Sequence, residues 1–250
     1  MTTFADIVFV WVFQLFLFMG IQFSTIIIFM LYMDRKQLSA LFLGFYSLFS
    51  GLFGITYLTG HLIDIVQGYT AYTQSAIALS YIFAHISLIF LVFFFSEIFL
   101  NGDFRVATII GGISMGLILN IVVKGSSFTN ASISFHRFIL IHLVLFNVIS
   151  VIMLNKFFNE VRTTTRREYR VRLVLYLFHW ITSPLGYTLC YINYYIFLQS
   201  GNLVTIYLLM SMAISLPGMI CGTLSNLSRT RMLQLADTTF FSTILKVLHL

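Results

Sequence analysis

Apolar residues run in long, nearly unbroken blocks along this chain, and the polar residues collect between them. The first block, Ile7 to Met33, covers 27 residues and ends at Asp34-Arg35-Lys36. Six more follow at about 38–66, 72–100, 106–123, 135–158, 173–198 and 203–227. A helix rises about 1.5 Å per residue and the hydrocarbon core of a bilayer is about 30 Å thick, so roughly 20 apolar residues make one crossing. The pattern predicts a single all-α domain, an integral membrane bundle of seven transmembrane helices. The first block is too long for a cleaved signal peptide and has no basic leader, so it is expected to be a retained helix. The fourth is the shortest and is rich in glycine. The remaining residues, 228–250, form a short tail mixing Leu, Phe and Ile with Asp237, Lys246 and His249. It is expected either to lie in the membrane interface as an amphipathic helix or to fray.

Charge orients the bundle. Of the 14 Lys and Arg, twelve fall at one set of helix ends, among them Arg35, Lys36, Arg105, Lys156, Arg162, Arg229 and Arg231, and only Lys124 and Arg137 at the other. Basic residues concentrate on the cytoplasmic side, which puts the N-terminus outside and the C-terminus inside. Five arginines lie in the one long polar connection, 159–172, a surface for a cytoplasmic protein partner or for anionic lipid headgroups. With 59% hydrophobic and 9% charged residues and a mean hydropathy of +0.96, the chain has no room for a soluble catalytic domain. The net charge of +6 is spread over helix ends, which argues against nucleic acid as a partner. Cys190 and Cys221 stand alone in apolar runs, so neither a disulfide framework nor a zinc site is indicated. A homo-oligomer, or a place as structural subunit of a larger membrane complex, remains open.

Small residues four apart let helices approach closely in lipid. Ser47/Gly51 and Ser50/Gly54 in the second block, Gly112/Gly116 in the fourth and Gly218/Gly222 in the seventh are the expected contact points. Pro184 and Pro217 interrupt the backbone ladders of the sixth and seventh helices, which are expected to bend.

The sixth block carries the clearest chemical pattern. Tyr176, His179, Ser183, Tyr187, Cys190 and Tyr194 recur at steps of three or four, one polar-aromatic stripe that lipid does not reward. It is expected to face inward, toward Tyr81, His85 and Ser96 of the third block and Ser211, Ser215 and Gly222 of the seventh. Two readings follow: interhelical hydrogen bonding, or a pocket for a ligand or cofactor bounded by the third, fifth, sixth and seventh helices. Ionisable residues inside the membrane are functional suspects, and four histidines qualify. His61 and His142 fall at the outer level, His85 and His179 at the inner one. Two such pairs would suit two haem b groups, each held by two histidines, in a transmembrane electron carrier. Carboxylates are too few for a proton relay: Asp64 and Glu97 lie near opposite ends, Glu97 close enough to snorkel to water or pair with Arg105. Gly112-Ile113-Ser114-Met115-Gly116 fits the nucleophile-elbow pattern, but that motif needs a strand, a turn and a helix, so no catalytic residue is assigned. Asn130-Ala131-Ser132 is a glycosylation sequon on the outer side.

Trp180-Ile181-Thr182-Ser183-Pro184-Leu185-Gly186-Tyr187, together with the seven-block count, Asp103 before the glycine-rich fourth block and Arg137-Phe138 opening the fifth, resembles the microbial rhodopsins. That resemblance implies a seven-helix bundle with rings flanking a central pocket. It does not extend to covalent retinal: the family's lysine in the last helix has no counterpart in 203–227, and Ala84-His85 stand near the expected place of the counter-ion. The resulting expectation is a non-enzymatic receptor or sensor whose ligand meets His85, His179, Trp180, Ser183 and Tyr187, with the dihaem carrier as the alternative.

Overall fold

A computed structural model describes residues 36–67, 71–124, 132–200, 205–225 and 227–247, together with 12, 20, 26–30 and 32. The first apolar block therefore lies largely outside the described residues. The described chain is all-helical, without strands: α1 (Leu38–Gln67), α2 (Ala71–Phe99), α3 (Arg105–Lys124), α4 (Ser132–Thr163), α5 (Arg167–Ser200), α6 (Thr205–Leu224), α7 (Arg229–Ala236) and α8 (Thr239–Val247). Among the described residues, four stretches are long and apolar enough to span a membrane: Leu38–Tyr57, Ala78–Phe99, Arg105–Val123 and Leu140–Thr163.

The helices interlock where the sequence thins. α1 packs most extensively on α2, with Ser47, Gly51 and Gly54 buried. α5 packs on α6, where glycine is obligatory: a Cβ on Gly218 would run into Thr182 Oγ1, and one on Gly222 would stand 2.9 Å from His179 Nδ1. Gly112 and Gly116 do not act this way. Both are exposed with nothing near the position of a Cβ, and α3 instead turns Ala107, Ser114, Ile118 and Ile121 inward. Its outer face carries Ile109, Ile113, Leu119, Val122 and Val123, and that of α4 carries Val144, Val148, Val151 and Ile152. Exposed aliphatic faces of this size suit lipid and not water. Pro184 and Pro217 lie inside helices that continue through them. Beside Pro184, the Thr188 hydroxyl donates to the Pro184 carbonyl at 2.7 Å and Asn147 Nδ2 donates to Thr188 at 3.4 Å, tying α4 to α5.

The α2–α3 turn uses two left-handed residues, Asn101 (φ 52°) and Gly102 (φ 79°), with the Gly102 amide donating back to the Ser96 carbonyl. This closes α2, and Asp103 then caps α3 by accepting from the Arg105 amide at 3.1 Å. Arg105 also pairs with Asp103 at 3.3 Å, so its described partner is that neighbour and not Glu97.

The polar connection of 159–172 is mostly helix. α4 continues to Thr163 and α5 starts at Arg167, leaving three residues between them. Arg and Glu are good helix formers, and Arg162 in the last turn of α4 and Glu168 in the first turn of α5 complement the helix dipoles. The tail does not fray within the described residues. α7, capped by Ser228, and α8 fold onto the start of α5, burying Met232, Ala236, Phe241 and Leu245 in the same core as Val161 and Val171. Arg167 donates to Asp237 Oδ1 at 2.9 Å and to the Ala236 carbonyl at 2.7 Å; Arg229 pairs with Glu168 at 3.0 Å; Arg172 donates to the Leu227 carbonyl at 2.7 Å.

Candidate functional site

Rings from α1, α2, α4 and α5 meet in the interior of the bundle. On α4, His142 and Phe146 are one turn apart and so share a face, their rings nearly parallel (8°) at 6.3 Å. His85 of α2 meets His142 edge to face, with centroids 4.9 Å apart and planes at 87°. From α5, Tyr187 closes on both His142 (5.6 Å) and Phe146 (5.8 Å), and Trp180 on Phe146 (6.3 Å). α1 completes the wall, with Tyr46 stacked on Trp180 at 5.9 Å and Phe53 against Tyr187 at 5.7 Å.

The cluster is deeply buried and its hydrogen bonding is incomplete. His85 is 0%, Trp180 1% and His142 5% exposed. Both ring nitrogens of His85, Nδ1 of His142 and Nε1 of Trp180 have no hydrogen-bond partner among the described residues. A buried polar atom left in this state costs about 1–3 kcal/mol, which is why native proteins pair such groups with protein, water or ligand. Four of them gather in one ring cluster; elsewhere in the interior Ser87 bonds Ala84 and Ser150 bonds Phe146 of their own helices, while Ser96 and Ser114 are unpartnered singly, on separate helices.

His179 belongs to a different contact. Its Nδ1 donates to the Gly218 carbonyl at 3.0 Å and lies 3.4 Å from the Ser183 hydroxyl, so it joins α5 to α6. That bond fixes the proton on Nδ1 in the neutral ring and leaves Nε2 bare. The expected inward stripe of the sixth block therefore divides. Trp180 and Tyr187 turn to α1 and α4, whereas His179 and Thr182 lie beside α6, because successive helical residues are rotated by about 100°. Tyr176 stacks on Phe157 of α4 at 5.5 Å. The side chains of Cys190, Tyr194, Ser211, His61 and Asp64 lie outside the described residues.

Among the described side chains the histidine contact is between His85 and His142; the expected partner of His142, His61, lies outside them. His85 touches His142, and the described contacts of His179 run to α6 and to its neighbour Trp180. Among the described residues no group of three or more His, Cys, Asp or Glu is placed to hold a metal ion. Ser114 is fully buried in mid-α3, a continuous helix without the strand and turn of a nucleophile elbow.

α1 adds a wall to the cluster, while Gly218 and Gly222 of the seventh block meet His179. Tyr46 belongs to the same face as Ser50 and Gly54, a signal that the small-residue pattern carries, and Phe146 follows His142 by four residues. Comparison with protein-family models, with curated proteins and with solved structures gives no match.

Proposed function

We propose that this chain is a seven-pass membrane protein, N-terminus outside and C-terminus inside, acting as a non-enzymatic receptor or sensor whose ligand binds at the ring cluster of His85, His142, Trp180 and Tyr187. One observation carries the reading: buried imidazole and indole nitrogens without partners, gathered from three helices among aromatic faces. A ligand that supplies those partners gains hydrogen bonds that the protein leaves unmade. The orientation rests on the basic residues of the inner ends. The resemblance to microbial rhodopsins enters as architecture only, since 203–227 holds no lysine. His179, held by Ser183 of its own helix, acts here by joining α5 to α6, so that movement of α5 reaches α6 and, through Arg167 and Glu168, the helix pair α7–α8.

Hydrogen exchange on the full chain in lipid nanodiscs tests this reading. Addition of a panel of neutral small molecules should slow exchange near 81–88, 142–150 and 180–187 for at least one of them, and alter it at 229–247. Unchanged exchange in both regions for every compound would remove the receptor reading in favour of a structural subunit. An absorption spectrum of the purified protein with a Soret band and reducible alpha bands would replace it with the haem b carrier.

A further inference from the structure

Resting on the receptor reading above, we propose that the ligand of the ring cluster is an uncharged, lipid-soluble molecule whose flat ring bears carbonyl oxygens on opposite edges, the chemistry of a quinone headgroup. Charge decides the first property. The described contacts of His85, His142 and Trp180 are aromatic, without an acidic or basic side chain. Along α2 and α5 the nearest charges are distant: Glu97 is twelve residues beyond His85 and Arg172 eight before Trp180, roughly 18 and 12 Å at 1.5 Å per residue, while on α4 Arg137 precedes His142 by five residues and its side chain lies outside the described residues. Arg172 is also committed to the Leu227 carbonyl. An ion bound here would be desolvated with no counter-charge among the described side chains, whereas a neutral molecule pays only for its polar atoms.

The donor inventory decides the second. An indole N–H can only donate, and a neutral imidazole offers one N–H and one bare nitrogen. Trp180 and His85 therefore present at least two N–H groups that no described oxygen accepts. Carbonyl oxygens accept such bonds; a hydrocarbon tail accepts none.

Geometry decides the third. His85 meets His142 at one level, and Trp180 meets Phe146 at the next, one helical turn or roughly 6 Å away along α4. A single hydroxyl reaches one level. A flat ring with acceptors on opposite edges reaches both, lying against Phe146 and Tyr187, and exchanges ring contacts of the protein for equivalent ones of its own.

The chain has two tryptophans, so Trp11→Phe leaves Trp180 as the sole indole fluorophore. A short-tailed benzoquinone is titrated into the full-length variant in nanodiscs, and the quenching of Trp180 is followed. The expected result is saturable quenching whose half-point rises about tenfold in His85→Leu, the worth of one buried hydrogen bond. A ring of the same shape and tail but without carbonyls should not compete. Quenching that is linear and identical in His85→Leu overturns the proposal, as does equal competition by the carbonyl-free ring. In either case the receptor reading stands if another neutral molecule still alters hydrogen exchange, and falls with the proposal if none does. A measurement that needs no histidine variant is the Raman marker of the indole N–H in the Trp11→Phe protein. It should move from the unbonded to the bonded position on adding the quinone; a marker already bonded beforehand shows an internal water in the ligand's place and overturns the proposal.

Discussion

Around Trp180, in the middle of α5, buried nitrogens lack partners; thirteen residues earlier, at Arg167, a guanidinium reaches both a carboxylate and a carbonyl. The two regions lie on one helix and treat polar groups in opposite ways. At the Arg167 end, Arg167, Arg172 and Arg229 reach carboxylate or carbonyl partners, although Arg170 Nε is buried without one, and order comes from a pattern of exposed ion pairs laid over the buried Met232 and Ala236. In the ring cluster order comes from shape alone, and the hydrogen-bonding capacity is left over. An interior shaped by stability alone would carry leucine in place of those imidazoles, which is the ground of the binding role proposed above.

Substitutions sharpen this contrast, beginning where the packing is densest. Trp180→Ala should lose about 3–5 kcal/mol of stability, because it opens a large cavity among Tyr46, Phe146 and His179; thermal unfolding of the purified protein reads this. Gly218→Val forces a side chain into Thr182 and should lose about 1–3 kcal/mol in the same assay, with α5 and α6 separating first. His85→Leu should go the other way. Removing a buried ring with two unpartnered nitrogens should leave the unliganded protein as stable as before or raise it by about 1–2 kcal/mol, while ligand response is lost. A marked loss of stability in His85→Leu would erase the contrast between the two regions. Asp237→Asn should have the smallest effect, less than about 1 kcal/mol, since the pair with Arg167 is half or more exposed on both sides and Arg167 keeps its bond to Ala236. Faster hydrogen exchange over 229–236, and a matching effect of added salt on the unsubstituted protein, would register it.

Helix positions were legible because lipid imposes length and apolarity at once. The second to fourth blocks match α1, α2 and α3 to within a residue at each end. The polar ends of α4 and α5 were not, since arginine and glutamate suit a solvated helix as well as a loop, and hydropathy cannot separate the two. Gly218 and Gly222 were read correctly as a contact, whereas the same spacing at Gly112 and Gly116 faces outward. Small residues permit close approach without specifying which neighbour approaches. The site was half legible. Depth placed each histidine on its helix, but the meeting of His85 with His142 depends on helix rotation, which a sequence without strong amphipathic contrast does not encode. Tyr46 is not legible in the sequence, because a tyrosine among phenylalanines carries no chemical signature until Trp180 is laid against it.

With 34 residues, α5 is roughly 51 Å long, well beyond the roughly 30 Å of hydrocarbon that a bilayer offers. Such a rod works as an oar. A few degrees of tilt at a pivot would sweep the protruding blade sideways by ångströms, and because Val171 shares its core with Met232 and Ala236 as well as with Val161 of α4, the stroke would carry the two short helices strapped across it.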